Sequence, residues 1–174
     1  MNIVLIGYRG TGKSLVGGLL AARLDMHCIS VDAEIIKKAS MSIPDIVETY
    51  GWPKFRDLES EVIQELAGHD RIIIDAGGGI IERPENISAL STNFRIFWLK
   101  ASVNVIVSRI HKDTERPALI AGKTFTEEVA EVLERRIPKY RHAAHYEIDT
   151  DELTPENVTD RIIKLWAEAQ RGCS

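Results

Sequence analysis

The stretch GYRGTGKS, residues 7–14, follows the apolar run Ile3, Val4, Leu5, Ile6 and opens a periodic apolar segment, Leu15, Val16, Leu19, Leu20 and Leu24. Strand, glycine loop and helix are therefore expected in that order. The spacing fits G-x-x-x-x-G-K-[ST], with Gly7, Gly12, Lys13 and Ser14 in its fixed positions. Gly10 and Gly12 let backbone N–H groups turn inward, and the following helix aims its positive end at the same point. A polyphosphate cradle is expected over Gly10, Thr11, Gly12, Lys13, Ser14 and Leu15. In such a cradle the lysine, here Lys13, reaches the β and γ phosphates, and the hydroxyl of Ser14 holds a magnesium ion. A glycine turn without function is the alternative, and the agreement of four positions with their strand and helix context argues against it.

The rest of the chain is consistent with one α/β unit. Its 174 residues, 44% hydrophobic, suffice for one good core, so residues 1–174 are read as a single domain. The net charge of -4 is spread without blocks, which leaves no electrostatic footprint for nucleic acid. No apolar run approaches the length of about 18 residues that a membrane span needs, and no leader pattern precedes the first strand. A soluble, cytoplasmic monomer without membrane or nucleic-acid partners is expected. Cys28 is read as lying in a buried strand, and both it and Cys173 as reduced and structural.

Four further strands follow the first: His27 to Val31, ending in Asp32; Arg71 to Asp75; Phe94 to Leu99; and Tyr146 to Ile148. Helices are expected over residues 44–50 and 53–67 on either side of Gly51, over 102–109, from 124 onward with a Thr124/Glu127 capping box, and from Pro155. Pro138 should end or kink the helix that contains it. Strands alternating with helices imply right-handed crossovers: a doubly wound fold with a five-stranded parallel sheet. Ligands then gather at the carboxyl ends of the strands, where the loop 7–14, Asp32, Asp75 and Gly77-Gly78-Gly79 should converge.

Three features do not read as ordinary packing. At about 100° per residue, Arg136 falls within about 20° of Val129, inside the apolar stripe of Val132, Leu133 and Tyr140, whereas Arg135 falls about 120° away. An inward cation needs an internal carboxylate or an anionic ligand. Arg56 flanks the buried stripe of Phe55, Leu58, Val62 and Leu66, where Glu59 can hold its guanidinium; a plain surface pair is the alternative. Three successive glycines contribute no side chains and raise the ordering cost, which suggests backbone approaching a ligand. Arg116, in the aperiodic stretch between His111 and Lys123, is either a solvated charge or a lid arginine over phosphates.

Taken with Phe55-Arg56-Asp57-Leu58-Glu59, Gly77-Gly78-Gly79, Arg116-Pro117 and Arg136-Ile137-Pro138-Lys139-Tyr140, the chain resembles the shikimate kinase family from Asn2 to about Ile163. The resemblance implies a P-loop kinase that transfers the γ-phosphate of ATP to the 3-hydroxyl of shikimate, with magnesium, in chorismate and aromatic amino acid biosynthesis. It implies that Asp32 binds the substrate hydroxyls and takes the attacking proton, and that Arg56, Arg136 and Gly78 bind shikimate. Arg116, within a lid at about 111–124, would contact the phosphates, Arg109 and the loop 149–155 the adenine side, and about 32–60 would form the substrate-binding helices. Lys13, Asp32 and Arg116 would be the catalytic residues.

The chain departs from the family where Ser30-Val31-Asp32 stands in place of Asp-x-Asp, so a magnesium-associated aspartate is missing. Asp75, at the end of an apolar strand, is the Walker B position and is expected to take over with Ser14. Ala118 in the lid motif and Ala76 before the glycines are smaller departures. A gluconate or nucleotide type kinase, or a nucleotide-binding regulatory module without turnover, remain the alternatives. Arg56, the glycines and Arg136 together oppose the first, and intact Lys13, Ser14, Asp32 and Arg116 oppose the second.

Overall fold

The computed structural model describes residues 1–110 and 124–171. Five parallel strands, β1 Asn2–Ile6, β2 His27–Ser30, β3 Ile72–Asp75, β4 Phe94–Lys100 and β5 Tyr146–Asp149, form one sheet in the order β2-β3-β1-β4-β5. Helices α1 Lys13–Leu24, α2 Val31–Ala39, α3 Ile43–Leu66, α4 Pro84–Ser91, α5 Val103–Ile110, α6 Phe125–Ala143 and α7 Pro155–Arg171 connect or follow the strands.

The central strand shows why the fold has three layers. Every residue of β1 is buried, and its side chains alternate between faces. Ile3 and Leu5 pack with Val16 and Leu20 of α1 and Val158 and Ile162 of α7. Val4 and Ile6 pack on the other side with Val31 and Ile35 of α2, Phe55 and Ile63 of α3, Leu90 of α4 and Tyr140 of α6. The chain moves outward from β1 to β2, returns through β3, and then crosses to β4 on the opposite side of β1. The phosphate loop therefore leaves β1 at the point where the winding reverses, and at the carboxyl ends of the strands.

Several elements differ from the sequence-based expectation. The second strand stops at Ser30, and Val31 and Asp32 already belong to α2. Ser30 is the helix N-cap, its hydroxyl accepting from Ala33 N–H at 3.3 Å, and Asp32 and Glu34 occupy the positive first turn. Cys28 is exposed rather than buried, because β2 is an edge strand. Its companion Cys173 lies outside the described residues. The two helices expected around Gly51 form α3, which breaks at Gly51 (φ 81°, ψ 169°), a conformation open essentially to glycine alone. Helix α6 starts with the expected Thr124/Glu127 box but runs through Pro138 to Ala143. Pro138 and Glu134, one turn before it, are both exposed, while Val132, Leu133, Tyr140 and Ala143 are buried. That burial offsets the cost of about 3 kcal/mol that an interior proline brings.

Candidate active site

The loop 7–14 meets its geometric requirements through glycine. Gly12, the N-cap of α1, has φ 89° and ψ 13°, a left-handed conformation that a side chain disfavours. Lys13, almost buried, donates to the carbonyls of Gly7 (2.9 Å) and Tyr8 (3.0 Å). The hydroxyl of Thr11 donates to Tyr8 C=O at 2.8 Å, so its side chain braces the loop from inside and only its backbone is available to a phosphate. Ser14 Oγ donates to Asp75 Oδ2 at 2.5 Å. Asp75 lies directly opposite Ser30 in the β2–β3 register, so the carboxylate stands one strand over from the position that Ser30 leaves uncharged.

Two adjoining cavities open at the carboxyl ends of these strands. The wider, about 390 Å³, is lined by Arg9, Gly10, Gly12, Lys13, Ser14, Leu15, Ser30, Asp32, Asp75, Ala76, Gly77 and Gly78. The narrower, about 30 Å³, is lined by Tyr8, Arg9, Ile43, Trp52, Phe55, Arg56, Glu59, Gly77, Gly78, Gly79 and Arg136. Arg9, Gly77 and Gly78 belong to both and form the shared wall. The expected convergence of the phosphate loop, Asp32, Asp75 and the three glycines is therefore found, and Arg56 and Arg136 line the adjoining narrow cavity.

The arginines of the narrow cavity are each paired with a glutamate. Arg56 Nη1 donates to Glu59 Oε2 at 2.7 Å, and its guanidinium lies 5.0 Å and 5.6 Å from the ring centres of Phe55 and Trp52. Glu59 is fully buried, which excludes the surface-pair reading. Burial pushes its carboxyl above the ordinary range, against the opposing pull of the Arg56 guanidinium. Arg136 is 4% exposed, as the helical phasing requires, and its Nε donates to Glu82 Oε1 at 2.7 Å. Arg136 thus pairs with an internal carboxylate and also lines the narrow cavity. Burial alone would raise the pKa of Glu82, but bonds from Lys139 and Arg136 bring it down to about 2.

The glycine strip is a matter of space rather than of unusual backbone angles. A Cβ on Gly79 would lie 2.1 to 2.2 Å from the guanidinium atoms of Arg56. On Gly77 it would meet Glu59 Oε1 at 3.1 Å and Asp32 Oδ1 at 3.3 Å, and on Gly78 the Gly7 carbonyl at 3.2 Å. At Gly79 the atoms met are the far end of the Arg56 side chain, so the glycine leaves room for a group that itself lines the narrow cavity. The Gly78 carbonyl accepts from the buried Tyr140 hydroxyl, whose ring stacks on Trp98 at 5.5 Å.

Arg109 lines neither cavity. It donates to Thr150 Oγ1 (3.2 Å), Thr150 C=O (2.9 Å) and Gly10 C=O (3.4 Å), tying α5 to the loop after β5 and to the phosphate loop. Arg116 and residues 111–123 of the expected lid lie outside the described residues.

A family model described as shikimate kinase matches residues 9–167. The chain belongs to the shikimate kinase family. A shikimate kinase of Thermodesulfovibrio yellowstonii is 41% identical over 171 residues, covering 98% of each chain. A solved shikimate kinase from Acinetobacter baumannii, in complex with shikimate, superposes with a TM-score of 0.91 at 31% identity over 97% of this chain and 93% of that one. The enzyme from Aquifex aeolicus gives a TM-score of 0.81 at 29% identity, with 99% of each chain covered. The chain is accordingly an ATP-dependent kinase that phosphorylates shikimate, with the P-loop kinase fold.

Two residues of the site carry no mark in the sequence. Arg9 occupies a variable position of the loop pattern, lines both cavities, lies 3.5 Å from Glu128, and covers the Phe125 ring at 5.0 Å. Glu82 sits in the short 3-10 turn Ile80–Glu82 after the glycines, 54 positions from the arginine that it binds. No local pattern singles out either residue.

Proposed function

We propose that shikimate spans the two cavities, its carboxylate in the narrow one and its 3-hydroxyl in the wide one, facing the γ-phosphate of ATP on the loop 7–14. The observation that carries this reading is the shared wall. Arg56 and Arg136 line a space of about 30 Å³ that has little more room than a water needs, which suits one end of a small acid. Asp32, Lys13 and Ser14 line the roomier neighbour.

Asp32 accepts the proton of the attacking hydroxyl, and the Gly78 backbone packs against the ring. Lys13 leaves the Gly7 and Tyr8 carbonyls for the phosphate oxygens and stabilises charge on the moving phosphoryl group, with Arg116. Arg109 and the loop 149–155 support the adenine side. Positioning supplies much of the rate, since the loop and the arginines hold donor and acceptor in line. The enzyme works as a cytoplasmic monomer, a reading supported by the fact that one chain builds both cavities. No described helix is long and apolar enough to cross a membrane.

Magnesium fits the oxygen donors present. Such ions are held by one or two protein oxygens and by substrate phosphates, and Ser14 Oγ with the Asp75 carboxylate offers that set beside the phosphate cradle. The ion, when bound, neutralises charge on the β and γ phosphates. Asp75 orients Ser14 and supplies the negative charge that Ser30 lacks. Asp75→Ala is expected to raise the magnesium concentration for half-maximal turnover about ten- to a hundredfold. A magnesium titration of ADP release checks this; an unchanged magnesium dependence in Asp75→Ala alongside a shifted one in Ser14→Ala removes Asp75 from the site.

A further inference from the structure

Glu82 lines neither cavity of the site, yet it holds one of the groups that does. Its Oε1 accepts from Arg136 Nε at 2.7 Å and its Oε2 from Lys139 Nζ at 2.5 Å, with an Arg135 nitrogen 3.9 Å from Oε1. Arg136 and Lys139 are three residues apart on α6, so one helix face sets both cations on the same carboxylate.

A guanidinium is planar and grips a carboxylate by either of two edges, one made of Nε and a terminal nitrogen, the other of the two terminal nitrogens. In Arg136 the first edge is engaged at Nε by Glu82. We infer that Glu82 is a positioning residue for shikimate phosphorylation: it fixes the rotation of the Arg136 plane so that the terminal edge is held toward the narrow cavity and meets the substrate carboxylate. The inference rests on the reading of Arg136 as a carboxylate partner. Lys139 completes the device by keeping the second oxygen of Glu82 occupied, so that the carboxylate does not swing round to engage the terminal edge itself. Half-buried ion pairs elsewhere on a protein hold elements together; this one orients a binding group whose partner must arrive in one geometry.

The test is steady-state kinetics of the full chain for Glu82→Ala, Glu82→Gln and Arg136→Ala, with shikimate and ATP varied separately. Glu82→Ala is expected to raise the shikimate KM about tenfold while kcat and the ATP KM stay within about twofold. Glu82→Gln keeps a neutral acceptor oxygen for Nε and is expected to recover most of that loss. A shikimate KM unchanged in Glu82→Ala, with Arg136→Ala impaired, overturns the positioning role alone. An unchanged shikimate KM in Arg136→Ala overturns the reading beneath it. If the KM values for both substrates rise together and Glu82→Gln recovers neither, Glu82 is a structural ion pair.

Discussion

Replacing Asp32 by asparagine is expected to lower kcat by about 10² to 10⁴, the range that loss of a positioned general base produces. The substitution keeps the shape and a carbonyl oxygen at the position, so the fold and the shikimate hydroxyl contact should largely survive. Asp32 stands in the first turn of α2, where the helix N-terminus favours a carboxylate, and its Oδ1 approaches Gly77 at the wall shared by both cavities. The ATP KM should change little, because the phosphate cradle is built by residues of the loop 7–14. Measurement of ADP release at saturating substrates decides the matter. A kcat within about tenfold of the parent would reduce Asp32 to an orienting group.

Arg136→Ala carries the next largest effect, a loss of about a hundredfold in shikimate affinity, as expected when two charge-assisted hydrogen bonds to a carboxylate disappear. Arg136 lines only the narrow cavity, so ATP binding should be nearly intact. Glu82 is not left as an isolated buried charge, because Lys139 still binds it and its side chain is 20% exposed. Equilibrium titration of each ligand against the variant separates the outcomes. Equal losses for ATP and shikimate would make Arg136 a structural partner of Glu82 and nothing more.

The inward direction of Arg136 is legible in the sequence itself, because 3.6-residue periodicity places position 136 among Val129, Val132, Leu133 and Tyr140 whatever the tertiary context. The phosphate loop and the order of strands and helices are legible for similar reasons: each rests on spacing along the chain. Where the sequence misleads, the deciding term is nonlocal. Cys28 is exposed because β2 lies at the sheet edge, which its own apolar neighbours do not announce. Helix α6 passes Pro138 because its buried residues continue beyond the proline to Tyr140 and Ala143 and hold the last turns on the core. Helices α2 and α4, nine and eight residues long, carry a less regular apolar stripe than Val103, Ile106, Val107 and Ile110 make in the equally short α5. Gly79 reads locally as a ligand's approach route, and folding also sets the Arg56 guanidinium against it from 23 positions away. Glu82 and Arg9 acquire meaning only through the partners that folding gives them.

Acceptor choice is the most direct measure of what these two cavities do. ADP release by the full chain with ATP and magnesium should be measured against shikimate, quinate, gluconate and nucleoside monophosphates, each beside a blank without acceptor. Shikimate should give turnover far above the blank and above every other acceptor, with phosphate recovered on its 3-hydroxyl. If shikimate releases no more ADP than the blank, the assignment of these two cavities to shikimate phosphorylation is contradicted.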